Sequence, residues 1–452
     1  MSPLPLIQRI RGFWEVDTAV GYALWQKFWL LFAGPVNLLL VVVFASPSAQ
    51  GFYYTFASIM AMQSFAELGF YIVIISVASH EWVRLRLDET GSIIGDHQAL
   101  SRLVSLGRLI FRWYAVSAVI FMLGAGLIGW MLMRKDLTTQ IAWETPWLLV
   151  TLLTGLNFWI VPFIYLLEGC NQLASLNAFR LRQAILANFT FWAVLPYFGP
   201  LWGLAGIAFT SLLTTFHFLF IQNRNFFRPF WKHPTTEQID WLAEIWPLQW
   251  RLAVQGAVQY CVTNIFTPIM FHYHGAVQAG QMGMTRQILS SLESISSIWI
   301  QTRVPSYGML IAERKFHELD SKWAKNSKIS LLVILLGGGA FWLGLLILGK
   351  LDVPLAGRLL IPSVTALMLV SVFLTQIIQC EAAYLRAHKK EPLMLIGVGN
   401  GILTGLLAWQ FGKVYGAVGI AVASLAVMTL FTFPGATIIW MKCRKEWHAN
   451  KG

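Results

Sequence analysis

Apolar runs of roughly the 20 residues that a membrane-crossing helix needs recur along the whole chain, separated by short polar stretches. They fall at about Lys27–Phe44, Gly51–Ser79, Leu109–Met133, Trp147–Leu167, Gln183–Phe198 and Leu201–Ile221. A polar link with two prolines follows, from Gln222 to about Glu244. Six more runs come after it, at about Trp246–Tyr273, Val277–Ile300, Ile329–Leu348, Leu359–Tyr384, Pro392–Phe411 and Tyr415–Trp440. The pattern predicts an all-α polytopic membrane protein of about twelve spans, six in a lobe over residues 1–231 and six in a lobe over 232–452. Because six is even, both halves enter the membrane in the same direction, as parallel repeats.

A repeat is written into the residues themselves. Gly199–Leu212 and Gly412–Leu425 align without a gap and agree at seven of fourteen positions, among them Gly199/Gly412, Gly203/Gly416 and Gly206/Gly419. Chance gives about one identity. The same shift pairs Glu168 with Glu381, at the ends of spans four and ten, where the two form a symmetric interfacial pair. The glycine spacing strips one helix face so that a neighbour can approach closely.

Composition agrees: 57% of the residues are hydrophobic and 12% charged, where a soluble domain carries about a quarter charged. The net charge of +12 raises a nucleic-acid partner, but the positions of the charges remove it. With both termini on the cytoplasmic side, 26 Lys and Arg fall in seven inside segments and five outside. That asymmetry is an orientation signal, and the inside residues read as lipid-headgroup anchors in an inner, cytoplasmic membrane.

Two basic residues remain, Arg251 and Arg286, both within apolar runs. Ionisable groups there are costly unless they face a protein interior or a wet cavity, so they mark candidate sites. Span seven carries Arg251, Gln255, Gln259, Thr263 and Thr267 at every fourth position, one face of a helix. Span eight carries Arg286, Ser290, Glu293, Ser297 and Gln301, and span two carries Gln63 and Glu67. These stripes predict a solvated cavity lined by spans two, seven and eight. Structural readings stand beside the functional ones: Arg286 and Glu293 bonded to each other, and Arg251 snorkelling to headgroups.

Other classes are excluded by what the chain lacks. The four cysteines are scattered without a CxxC pair, so neither disulfides nor zinc is expected. His272 and His274 have no third ligand near them in sequence, and no metal or cofactor is expected. No GxxxxGK[ST] occurs, and no external loop is long enough for a catalytic domain, so the chain reads as no enzyme.

The topology, the Gly-rich sixth and twelfth spans, and Gln50-Gly51-Phe52-Tyr53-Tyr54, Ala66-Glu67-Leu68-Gly69-Phe70 and Ser79-His80-Glu81 resemble one family. It is the multidrug/oligosaccharidyl-lipid/polysaccharide (MOP) exporter superfamily, and within it the polysaccharide-transporter branch of lipid-linked oligosaccharide flippases. Ala279-Gly280-Gln281-Met282-Gly283 echoes the start of span two without its aromatic pair. The resemblance implies alternating access between two lobes and a glycan substrate on a polyprenyl pyrophosphate, with polysaccharide assembly proteins as further partners. It casts Arg251, Arg286 and Arg303 as anion contacts. A multidrug/cation antiporter of the same superfamily and a membrane enzyme of polysaccharide assembly stand as alternatives.

Overall fold

The fold is described from a computed structural model over residues 18–67, 69–134, 141–232, 240–241, 246–388 and 390–449. Among these, seven helical stretches are long and apolar enough to cross a membrane, and the bent pair Pro47–Ala66 and Phe70–Trp82 adds an eighth. The longest, Met394–His448, is two crossings, because Gly416 leaves helical geometry at φ 60 and ψ −139. Three further elements are too polar or too interrupted to pass on composition: Leu173–Phe198, the broken pair Trp246–Thr263 and Phe266–His274, and Ala276–Gln301. The result is the twelve-span, all-α membrane architecture.

Corners between consecutive spans are made by single residues. Gly199 (φ 84, ψ 175) turns the chain from span five into span six, and Gly275 (φ 84, ψ 177) does the same between seven and eight. Only glycine takes such angles readily. The 213-residue shift makes Gly412 the counterpart of Gly199, yet Gly412 is helical and the break comes one turn later, at Gly416. The residues that follow differ. Pro200 follows Gly199 and suits a first helical position, whereas Lys413 follows Gly412 and lets the helix continue. A second irregularity does repeat: span six ends in the π-helix His217–Gln222 and span twelve contains the π-helix Met428–Thr432.

The polar link is less plain than its composition suggests. Arg224–Lys232 is a helix whose Phe226, Phe227 and Phe230 are buried while Trp231 is exposed. Residues 233–239 and 242–245 lie outside the described residues. After span two a hairpin pairs Leu85–Leu87 with Ile93–Gly95, its turn held by Asp88, whose Oδ1 accepts from the Thr90 and Ser92 amides and the Thr90 hydroxyl.

Contacts divide the chain into two compact units. The first holds residues up to Ala45, Met62–Trp130 and Ala142–Ala253. In it, span six lies close against span five because Gly203 and Gly206 present no side chain. A Cβ on Gly203 would meet the Phe191 ring at 2.6 Å, and one on Gly206 would meet Thr190 at 3.0 Å. Asn37 joins spans one and five, donating to Asn188 at 2.7 Å and accepting from Trp192 at 2.6 Å.

The second unit holds Ser46–Ala61, Met131–Ile141 and Val254–Gly452. The opening helix of span two, Pro47–Met60, therefore belongs with spans eight to twelve, whereas the sequence boundary drawn at 231/232 keeps it with the first lobe. It packs on span eight through small residues: Gly51 faces the Ala276 carbonyl, Gly283 faces the Tyr54 ring, and Gln50 donates to the Gly280 carbonyl at 2.9 Å. Inside this unit Ser296, Ser330 and Gln376 form a buried hydrogen-bonded cluster, and Ser297 donates to Gln376 at 3.3 Å. That contact gives part of the span-eight polar stripe a packing role.

Candidate functional site

The second unit places Arg286 where span seven fails as a helix. The Trp246–Thr263 segment ends and Phe266–His274 begins three residues later, so carbonyls in the last turn of the first segment are left outside its helical ladder. Arg286 answers one of them, its Nη2 donating to the Thr263 carbonyl at 3.3 Å, while the guanidinium carbon sits 5.3 Å over the Phe266 ring. Such a ring face attracts a cation electrostatically. The Arg286 Nε has no partner among the described residues. A guanidinium with five donors, thus incompletely used, keeps capacity for a bidentate anion contact.

Glu293 lies on the same helix two turns further along. The expected Arg286–Glu293 bond is not formed: among the described residues no ion pair joins them within 4.0 Å. Seven residues along one helix is about 10 Å, and the freed Thr263 carbonyl is nearer. Arg303 caps the helix Val304–Ala312 and is exposed beyond the far end of span eight. It is roughly 25 Å along the chain axis from Arg286, so span eight does not bring these two arginines together.

In the first unit Gln63 opens a four-residue helix and Glu67 closes it, just before the left-handed Gly69. Tyr114 donates to Glu67 at 3.3 Å. Span two is bent by 43° at this break. A carboxyl group held by a phenol at a bend was half legible. Glu67 stood out as a charge, but Tyr114 read as an ordinary aromatic residue of an apolar span.

The side chains of Arg251, Gln255 and Gln259 lie outside the described residues. Gln249, on the same helix, is fully buried and neither of its amide atoms has a partner among the described residues. It lies off the every-fourth-position line, which is why the stripe did not include it. Glu168 and Glu381, a pair by sequence, have different surroundings. Glu168 is bound by Arg180 at 2.6 Å, whereas Glu381 is buried with one oxygen on the Thr437 hydroxyl and the other unpartnered among the described residues.

The second unit also holds a partly open cavity of about 220 Å³ between spans seven, ten, eleven and twelve. Its polar lining includes Thr375, Gln379 and Asn400, and Thr432 donates to Asn400 at 2.9 Å. His274 contacts the Gly412 carbonyl at 2.7 Å, and among the described residues no three His, Cys, Asp or Glu side chains are grouped as a metal site would need.

No family model and no curated protein matches this sequence. Solved structures do. The chain is similar to the lipid II flippase MurJ in an inward closed conformation, with a TM-score of 0.64 at 12% identity over 94% of this chain and 90% of that one. It is similar to the MATE multidrug transporter DinF-BH in a ligand complex, with a TM-score of 0.56 at 12% identity over 97% and 98%. A point mutant of the MATE transporter VcmN from Vibrio cholerae gives 0.55 at 12% identity over 95% and 96%. At such identities the likeness speaks for architecture: the chain has the fold of the MOP exporter superfamily.

Proposed function

We propose that the protein is a transporter, not an enzyme, that moves a lipid-linked oligosaccharide across the cytoplasmic membrane by alternating access of its two six-helix lobes. The observation that carries this reading is Arg286, a guanidinium well inside span eight with an unpartnered Nε among the described residues. An anionic group on the substrate completes its hydrogen bonding, and a polyprenyl pyrophosphate offers oxygens in the fork geometry that arginine prefers. The fold shared with a lipid II flippase supports the same substrate class. The excess of inside Lys and Arg supports both termini on the cytoplasmic side.

The test is reconstitution of the full chain in liposomes with a fluorescent short glycan on undecaprenyl pyrophosphate, its leaflet read by a membrane-impermeant quencher. Protein-dependent movement of the glycan lipid, with no accumulation of a cationic rhodamine dye, is the expected outcome. Dye accumulation without lipid movement would replace this reading with the multidrug one.

A further inference from the structure

One face of span eight changes character along its length. At its start Ala276, Gly280 and Gly283 admit the helix Pro47–Met60, and Gln50 donates to the Gly280 carbonyl at 2.9 Å. One turn beyond Gly283 the same face is uncovered, and Gln287, Ser290 and Ser294 on it are exposed. At about 100° per residue these three lie within about 60° of one another, along about 10 Å of helix. Lipid could not face such a surface cheaply. Ser290 Oγ donates to the Gln287 carbonyl at 3.0 Å, and Ser294 Oγ donates to the Ser290 carbonyl at 2.8 Å. Each hydroxyl proton is thus used within the helix, and the oxygen keeps a lone pair to accept from a ligand. No described residue hydrogen-bonds the Gln287 amide, which offers two donors and an acceptor. Ser296 and Ser297 differ, because Ser330 and Gln376 engage them.

We propose that this face binds the sugars next to the pyrophosphate of a lipid-linked glycan and so sets specificity for them. The inference rests on the flippase reading and deepens it. Arg286 directly precedes Gln287 on the helix, so a phosphate held by the guanidinium brings the attached sugar to the face. Gln287, Ser290 and Ser294 carry neutral amide and hydroxyl groups only, the chemistry that sugar hydroxyls match. Sugar O–H groups donate to the serine oxygens and pair with the Gln287 amide in either direction. A lipophilic cation would call for aromatic or acidic side chains, and none of these three residues is either.

Binding of two probes to the full chain in detergent tests it. One is undecaprenyl pyrophosphate, and the other is the same lipid carrying a neutral disaccharide of N-acetylglucosamine. The parent should bind the glycosylated probe about tenfold more tightly, as one or two net hydrogen bonds supply. Gln287→Leu combined with Ser290→Ala and Ser294→Ala should abolish that preference, with affinity for the bare lipid and the thermal midpoint unchanged. Gln287→Leu alone, at an exposed position, should lose part of it. Ser290→Thr with Ser294→Thr keeps both hydroxyls and should retain it. Arg286→Ala should weaken both probes alike. Equal affinity of the parent for the two probes, or a triple variant with the parent's preference, would overturn the sugar site and leave the flippase reading standing. A parent that binds neither probe would remove the flippase reading, and this inference with it.

Discussion

Arg286 sits inside span eight without an acidic side chain in contact among the described residues, and the break in span seven makes this tolerable by offering the Thr263 carbonyl. Glu381 is accommodated differently. It is 3% exposed, with a hydroxyl on one oxygen and no cation in contact among the described residues. An isolated charge there would be costly, and a neutral acid is not. Glu381→Gln, isosteric with the neutral acid, should therefore change stability by less than about 0.5 kcal/mol, whereas Glu168→Gln, which loses the partly exposed Arg180 pair, should cost about 1 kcal/mol. Thermal unfolding in detergent compares them, and a larger loss at Glu381 would mean that its charged form is the native one. The 213-residue shift pairs these two glutamates by position. It could not tell their chemistry apart, because Arg180 and Thr437 come from different helices and sit at unrelated places in the sequence.

Helix ends follow from local residue chemistry more than from apolar length. Gly199 breaks where Pro200 follows, whereas Gly412 stays helical and the second corner falls at Gly416. Gly416→Ala should then cost about 1–3 kcal/mol, the range for a side chain forced into such angles. Gly344→Ala, in a helix with open space around its Cβ position, should be neutral or raise stability by up to about 1 kcal/mol. Equal effects at both sites would contradict the assignment of the corner. The hairpin after span two makes a pH prediction. The Thr90 hydroxyl, with help from the Ser92 and Thr90 amides, holds the Asp88 carboxyl below its ordinary value. A depressed folded value means that the turn is supported above the ordinary carboxylate range and loses support as pH falls through the lowered value. Protection of the Thr90 and Ser92 amides, relative to their intrinsic exchange rates, should fall below about pH 4, while protection unchanged down to about pH 2 would remove Asp88 from the turn. The apolar runs disclosed the spans themselves. They did not disclose the hairpin or the Arg224–Lys232 helix, because both are short and are stabilised by a carboxylate and by three phenylalanines packed on other elements.

For the whole molecule, the duplicated sequence and the even number of spans already implied two like-directed halves, and the fold shared with MOP-superfamily transporters agrees. What sequence could not supply was the grouping of elements. Pro47–Met60 packs with the second unit because Gly51, Gly280 and Gly283 allow contact too close for any side chain, and such contacts join residues more than two hundred positions apart. The role proposed for Arg286 is to bind the substrate's phosphate groups during transport. Its most direct test is glycan-lipid translocation in liposomes by Arg286→Lys and Arg286→Ala at matched, folded protein levels. The account predicts partial transport for the lysine variant, which keeps a charge without the fork. For the alanine variant it predicts a fall of at least about tenfold, the loss of a charge-assisted hydrogen bond. Parent-level translocation by Arg286→Ala would contradict it, leaving the guanidinium as a cap on the broken seventh span.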